Sequence, residues 1–352
     1  MRLLMKGNEA VAQAALRAGC RHYFGYPITP QNEIGAYMSR HMPELGGVFL
    51  QAESEIAAIN MVLGASAAGA RVMTSTSSPG MSLKTEGISY IAGGDLPAVI
   101  VNVQRGGPGL GSIQPAQSDY FQATKAPGHG DLRLPVFAPA TVQEMADDVA
   151  LMFDLTDRYR TPGIILADGL LGQMMEPVEF PGTAPEIPHK PWATNGHAGS
   201  RPKNVINSLY LDADQLEATI LERFERYDEI EKNHARAERF QTEDAQILLV
   251  AYGACARIAR SAVHIAREQG LKVGLLRPRT LWPFPKSEIF NAAKTAKAVL
   301  TVEMSRGQMV DDVKLAIEHT RPVHFYGRTG GIVPTPEEIL AEITKLAEGA
   351  KA

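Results

Sequence analysis

Tyr26-Pro27-Ile28-Thr29-Pro30 stands between a short apolar run, Tyr23-Phe24-Gly25, and a helical pattern from Gln31 to His41. Gly25 permits a sharp exit from a strand. Pro27 and Pro30 push the residues before them, Tyr26 and Thr29, towards extended backbone. Thr29 then falls at an N-cap and Pro30 at the first helical position, so strand, turn and helix are expected in succession. Such a turn aims a hydroxyl and free backbone N–H groups at one spot, which suits a small anion such as a carboxylate. The same residues also suit an ordinary well-capped βα connection.

Outward from this turn the same alternation repeats. Helices are expected over about 7–19, 53–69, 81–92 and 141–158, and strands at 22–25, 48–51, 72–75, 97–103, 136–138 and 163–167. Pro97 to Val103 reads as a buried strand because Ala98-Val-Ile-Val101 is continuously apolar. This order predicts an α/β fold with a mostly parallel, doubly wound sheet over residues 1–185. Six prolines between 177 and 202 leave no room for a long helix or a central strand. A charged helix follows from Asp212 to Phe240, with opposite charges four residues apart, such as Glu222 and Arg226. Residues 186–243 are therefore expected to form a connecting arm. A second α/β unit spans 244–352, opening with the apolar strand Ile247-Leu-Leu-Val-Ala251.

The 352 residues are too many for one typical core, in keeping with two units. A net charge of -4 gives no reason to expect nucleic acid or an anionic membrane as partner. Met1-Arg-Leu-Leu-Met-Lys6 is too short for a signal peptide, and no run of 18 apolar residues occurs. A cytoplasmic location is expected. Cys20 and Cys255 lie far apart in helical patterns and are expected to be buried. Two thiols cannot hold a cubane iron–sulfur cluster, which takes four, so any cluster belongs to another chain.

Three residues invite chemistry. Glu55 heads a helix rich in small residues, Ala57, Ala58, Gly64, Ala65, Ala67, Ala68 and Gly69. It is either a helix-dipole acid or a carboxylate buried where another backbone comes close. Arg105 ends the buried strand at its carboxyl end, where open α/β sheets bind ligands. It can clamp a carboxylate bidentately or lie solvated at the surface. Thr29 supplies the hydroxyl of the opening turn. The loop Gly106-Gly107-Pro108-Gly109-Leu110-Gly111 matches neither phosphate-binding glycine motif and reads as flexible backbone lining a cleft. His129, in Pro127-Gly-His-Gly130, has no neighbouring metal-type ligands and reads as a loop residue.

Taken in order, Tyr26-Pro-Ile-Thr-Pro30, Ser54-Glu55, Ser77-Ser-Pro-Gly80, Val101-Asn-Val-Gln-Arg-Gly-Gly-Pro108, Ala167-Asp-Gly-Leu170 and Val302-Glu-Met-Ser-Arg-Gly-Gln308 resemble the alpha subunit of the 2-oxo acid:ferredoxin oxidoreductases. The resemblance runs over nearly the whole chain. It implies a pyrimidine-type thiamine-diphosphate domain followed by a transketolase C-terminal-like domain. Glu55 then matches the glutamate that binds the cofactor's aminopyrimidine, and Thr29 and Arg105 match the residues that hold the substrate carboxylate. The implied reaction decarboxylates a 2-oxo acid, passes electrons to ferredoxin through iron–sulfur clusters and gives the acyl group to coenzyme A.

Ala167-Asp168-Gly169 with Asn195 resembles the diphosphate and Mg²⁺ motif of thiamine enzymes. The first glycine is replaced, however, and prolines fill the span that motif needs. The implied partners are therefore a beta subunit holding diphosphate and Mg²⁺, a ferredoxin-like subunit carrying [4Fe-4S] clusters and a gamma subunit. After Arg105, the 2-oxoglutarate members carry Pro-Ser-Thr-Gly-Leu-Pro-Thr-Lys. Here the chain reads Gly-Gly-Pro-Gly-Leu-Gly-Ser-Ile, and with Asp119-Tyr-Phe-Gln-Ala-Thr124 it is similar to the branched-chain (3-methyl-2-oxobutanoate, 2-ketoisovalerate) type. Three other readings stay open. They are a 2-oxoglutarate-specific alpha subunit, the beta subunit of a lipoamide-linked 2-oxo acid dehydrogenase, and a non-catalytic structural subunit.

Overall fold

The computed structural model describes residues 2–180, 182 and 185–349; Met1 and Pro181, used above, lie outside them. In chain order the strands are β1 (Arg2–Lys6), β2 (His22–Gly25), β3 (Val48–Gln51), β4 (Val72–Thr76), β5 (Ala98–Gln104), β6 (Val136–Phe137), β7 (Pro162–Asp168), β8 (Met175–Glu179), β9 (Ala237–Phe240), β10 (Ile247–Ala251), β11 (Val273–Pro278), β12 (Thr280–Trp282), β13 (Ala298–Glu303) and β14 (Val323–Gly327). The helices are α1 (Gly7–Arg17), α2 (Asn32–His41), α3 (Glu55–Ala67), α4 (Ser78–Gly93), α5 (Tyr120–Thr124), α6 (Val142–Tyr159), α7 (Gly169–Gln173), α8 (Ala213–His234), α9 (Gly253–Glu268), α10 (Lys286–Ala293), α11 (Met309–Ala316) and α12 (Pro336–Gly349).

The strands form a seven-stranded sheet, a five-stranded sheet and a two-stranded ribbon. The larger sheet runs β12-β6-β7-β5-β4-β2-β3, parallel except for β12. Its centre, β5 and β7, is buried along its whole length, in keeping with the apolar runs Ala98-Val-Ile-Val101 and Ile164-Ile-Leu-Ala167. The smaller sheet runs β14-β13-β10-β11-β9, parallel except for β9. The doubly wound α/β expectation therefore holds.

Several local expectations change. Helix α2 starts at Asn32 with Gln31 as N-cap, so Thr29 does not cap it and Pro30 stays outside it. The reason lies in Gln31, whose side chain turns inward. Its Oε1 accepts from the Ser75 hydroxyl at 2.5 Å and its Nε2 donates to the Tyr26 carbonyl at 3.3 Å. The turn is thus locked from inside, and the Thr29–Pro30 peptide within it is cis. Helix α4 starts three residues earlier than expected, with Ser77 at its N-cap and Pro79 in its first turn.

Strands β1 and β8 were not anticipated. They pair antiparallel as a separate ribbon with Leu4 opposite Pro177, a setting that tolerates proline because no second strand needs its missing N–H. Strand β9 lies inside the stretch expected to be an arm, yet it forms the antiparallel edge of the smaller sheet. Strand β12, from the second half of the chain, closes the larger sheet. In α8, Arg226 pairs with Asp95 together with Arg223, rather than along its own helix with Glu222.

The two sheet units are tied by charged and polar contacts. Arg277 of β11 donates to both oxygens of Glu144 on α6, each at 2.7 Å, and to Glu238 of β9 at 2.6 Å. Gln117 donates to the Tyr252 carbonyl at 2.8 Å and accepts from the Met304 N–H at 3.1 Å. Asp168 accepts from Leu170, Leu171 and Ala254 N–H groups, joining α7 to α9. Burial pushes its carboxyl up to about 6.

Candidate active site

The carboxyl ends of β2, β4 and β5 converge on one region, as the parallel order dictates. Glu55 reaches it from the head of α3. Ser54 caps that helix, its hydroxyl accepting from the Ala57 N–H at 3.1 Å, so the first helical residue is fixed. Glu55 is only 5% exposed, yet its carboxylate makes no hydrogen bond with any described residue. It lies against Gly80. A Cβ at position 80 would sit 2.4 Å from Glu55 Oε1 and 2.2 Å from the Thr76 hydroxyl.

Arg105 is buried at the end of β5. Its Nη1 donates to the Thr29 carbonyl at 3.0 Å and its Nη2 to the Leu110 carbonyl at 2.9 Å. The guanidinium thus pins the opening turn to the glycine loop. Two of its five N–H groups serve that purpose, and Nε is buried without a partner. Thr29 is half-buried, with its hydroxyl accepting a long 3.4 Å bond from Asn32. The Pro30 carbonyl beside it is held by Asn8 at 2.7 Å and Gln173 at 3.2 Å. Thr29 and Arg105 are therefore adjacent, as the sequence suggested, although through a backbone carbonyl.

The first turn of α4 joins the two sides. Ser78 accepts from the Arg105 N–H at 3.0 Å and donates to Asp119 at 2.6 Å, while Asn102 donates to the same Asp119 oxygen at 3.0 Å. Burial raises the proton affinity of Asp119, and the Ser78 and Asn102 bonds oppose that rise. Sequence reasoning singled out Ser77-Ser-Pro-Gly80 only as a motif. It missed that Gly80 keeps the space beside Glu55 clear, read Asp119 only as the start of a substrate-type motif and not as the partner of Ser78 and Asn102, and passed over Lys84. Lys84 had a readable signal, because it shares the fully buried stripe of α4 with Met81, Ile88 and Ile91.

Other candidates fall away from this region. His129 lies in a loop, its backbone bonded to Ser89. Asn195 accepts from Arg201 on the exposed arm, while Asp168 accepts from Leu170, Leu171 and Ala254, and no bond joins the two. Cys20 and Cys255 are free and buried, and burial pushes Cys20 up to about 12. Among the described residues no group of three or more His, Cys, Asp or Glu side chains could hold a metal ion. No described helix is long and apolar enough to cross a membrane.

Two α/β units built on mostly parallel sheets, joined in one chain, define the class of fold. The split-gene transketolase beta4 tetramer shares this fold, with a TM-score of 0.61 over 97% of each chain at 15% identity. More specifically, residues 13–245 match the pyruvate flavodoxin/ferredoxin oxidoreductase thiamine-diphosphate-binding family, and 245–339 match core domain II of pyruvate:ferredoxin oxidoreductase. The chain belongs to the 2-oxo acid:ferredoxin oxidoreductase family. It is 52% identical to ketoisovalerate oxidoreductase subunit VorB of Methanothermobacter marburgensis, over 98% of this chain and 97% of that one. It is 37% identical to 2-oxoglutarate synthase subunit KorA of Methanothermobacter thermautotrophicus, over 97% and 98%. A solved 2-oxoglutarate:ferredoxin oxidoreductase from Magnetococcus marinus, with 2-oxoglutarate, coenzyme A and succinyl-CoA bound, superposes with a TM-score of 0.85 at 27% identity. That match covers 98% of this chain and 65% of the other.

Proposed function

We propose that this subunit presents Glu55, Thr29 and Arg105 to thiamine diphosphate and a 2-oxo acid, with 3-methyl-2-oxobutanoate as the favoured acid. The observation that carries this reading is Glu55, only 5% exposed, whose carboxylate has no hydrogen bond with a described residue, keeps contact with solvent, and has the space beside it cleared by Gly80. A largely enclosed carboxylate left open on one side is placed to take a partner, and a ring nitrogen of the aminopyrimidine supplies one. The surrounding residues fit such a group. The Thr76 and Ser77 hydroxyls and Arg105 Nε are buried without partners, at the carboxyl ends of β4 and β5.

When bound, thiamine diphosphate supplies the carbanion chemistry that releases carbon dioxide from the 2-oxo acid. The role of this chain is narrower. Glu55 holds or moves a proton at the aminopyrimidine ring nitrogen. Arg105, through its remaining N–H groups, and the Thr29 hydroxyl orient the substrate carboxylate. Ser78, Asn102 and Asp119 keep the head of α4 and the end of β5 in register, so both sides of the site are fixed together.

In this reading residues 1–185 form the pyrimidine-type unit, 186–243 the arm and 244–352 the transketolase C-terminal-like unit. Diphosphate and Mg²⁺ sit on a beta subunit, because the Asp168 oxygens are already engaged by three backbone N–H groups. The [4Fe-4S] clusters belong to a ferredoxin-like chain, with a gamma subunit completing a cytoplasmic complex that serves coenzyme A and ferredoxin.

Two features favour an apolar substrate. Lys125, downstream of the loop, pairs with Asp312 at 2.6 Å. The loop itself offers the exposed apolar side chains Leu110 and Ile113. The name of the 52% identical relative agrees. The test is steady-state competition between 3-methyl-2-oxobutanoate and 2-oxoglutarate on the purified complex, with ferredoxin or a viologen dye as acceptor and no lipoamide. A kcat/KM clearly favouring 2-oxoglutarate overturns the substrate assignment; turnover only with lipoamide overturns the whole reading.

A further inference from the structure

Lys84 lies in the middle of α4 and is 0% exposed. Its ammonium makes a single hydrogen bond among the described residues, to the Thr74 hydroxyl at 3.0 Å. A buried cation with one neutral partner is an expensive feature, and cores replace such groups unless they serve something. The elements packed against α4 carry few charges. Strands β4 and β5 have no titratable side chain, α3 has Glu55 alone, and Asp168 on β7 is committed to backbone N–H groups of α7 and α9. Asp119 meets only the first turn of α4, through Ser78. Glu55 is the one charge acting on Lys84, and the two do not form a direct ion pair.

We infer that Lys84 is a positioning residue for the Glu55 site: it lies one turn of α4 after Gly80, which abuts the Glu55 carboxylate, and bonds Thr74 two residues along β4 from Thr76, so its buried ammonium supports a negative charge there. The inference rests on the reading of Glu55 as the cofactor's partner. No proton passes between the two groups; the effect is Coulombic and is strengthened by the complete burial of the ammonium. Burial pulls the Lys84 ammonium down to about 8, and the Glu55 charge opposes that fall. Lys84 therefore loses its charge as pH rises through about 8, and the support it gives Glu55 goes with it.

The test titrates thiamine diphosphate with Mg²⁺ into the cofactor-free complex by calorimetry, from about pH 6.5 to 9.5. Wild-type affinity is expected to fall about tenfold or more as pH passes roughly 8. Lys84→Met should bind weakly at neutral pH and show no such fall. Lys84→Arg, which keeps its charge throughout, should hold neutral-pH affinity to the top of the range. Melting of the cofactor-free complex gives a second readout. The Lys84 proton affinity in the fold lies below its ordinary value of 10.5, so its penalty is complete below about 8 and shrinks above. Lys84→Met should then melt above wild type at neutral pH, with the gap narrowing in alkali. A Lys84→Met complex that tracks wild type across pH, or melts below it, overturns the inference, as does a Lys84→Arg complex that loses affinity near pH 8. Glu55→Gln separates the two claims. If it binds cofactor as wild type does, the Glu55 assignment itself fails; if it binds poorly while Lys84→Met tracks wild type, only the role of Lys84 fails.

Discussion

Gly80 carries no side chain at the point where Glu55 lays its carboxylate: a Cβ there would stand 2.4 Å from Glu55 Oε1. It would also stand 2.2 Å from the Thr76 hydroxyl, which β4 holds firmly in the sheet. Of the two, the Glu55 side chain is the freer to move. Gly80→Ala should therefore leave the subunit folded, at an overpacking cost of about 1–3 kcal/mol. It should displace the carboxylate and lower turnover roughly 100-fold, the scale expected for a shift of about 1 Å at a reacting group. Turnover within a factor of two of the parent, in a complex of normal composition, would count against the placement of Glu55.

Glu55→Gln tests the proton rather than the position. The amide matches the carboxylate in size and cannot hold or release a proton. We expect normal assembly and a loss of about 10²–10⁴-fold in turnover, the usual effect of removing one general acid–base group. Size-exclusion profiles together with dye reduction separate a chemical loss from an assembly loss.

How much of this was legible beforehand differs from element to element. The apolar runs of β5, β7 and β10 are buried on both faces, so composition alone marked them. Glu55, Thr29 and Arg105 stood out because each falls within a motif at the boundary of an element or in a turn. The start of α2 was misplaced because the inward bond from Gln31 to Ser75 depends on a strand 44 positions away, which no local capping rule contains. Strands β1, β8 and β9 are short edges whose pairing partners are remote in sequence, and β8 includes a proline that local propensity counts against it. Lys84 was passed over because lysine inside a helix is ordinarily a solvated residue.

Arg105→Lys should weaken every 2-oxo acid to a similar degree. The guanidinium spans the Thr29 and Leu110 carbonyls and keeps further N–H groups in reserve, whereas an ammonium is a single point that cannot bridge both in the same fork. The clamp serves the carboxylate shared by all these acids and not the side-chain pocket. We expect kcat/KM to fall about 10-fold to 1000-fold, with the ratio between two substrates unchanged within about threefold. A selective loss for one acid would move Arg105 out of the shared clamp.

Asp148 on α6 gives a pH-dependent stability prediction. Burial pushes its carboxyl up to about 7, Arg279 at 3.4 Å opposes this only partly, and one of its oxygens has no partner. The folded-state value lies above the ordinary 3.8, so its contribution to stability is complete below about 3.8 and is lost as pH rises through about 7. Asp148→Asn removes the ionisation. Relative to wild type it should raise the melting temperature by a few degrees near pH 8, at about 3 °C per kcal/mol, and the gain should vanish towards pH 4. A gain that is largest in acid would contradict the assignment.

Substrate preference can be pushed in a chosen direction. Aligned on Gly109-Leu110, the lysine of the 2-oxoglutarate type falls at position 113, where this chain has the exposed Ile113. A second carboxylate brought beside Leu110 and Ile113 finds Arg105 already fixed on the Thr29 and Leu110 carbonyls and Lys125 paired with Asp312. Leaving such a charge unpaired in a closed site costs several kcal/mol. Ile113→Lys supplies the missing partner on a loop that is already ordered by the Gly106–Gln114 and Gly106–Ser112 backbone bonds. We expect kcat/KM for 2-oxoglutarate to rise at least about tenfold, or about 1.4 kcal/mol. The value for 3-methyl-2-oxobutanoate should fall as the apolar contact is lost. The shared clamp is untouched, so the Arg105→Lys penalty should be the same in the Ile113→Lys background, measured as a double-mutant cycle on both acids. If Ile113→Lys leaves the ratio of the two acids where it was, the loop does not read the substrate side chain, and specificity must come from the partner subunit.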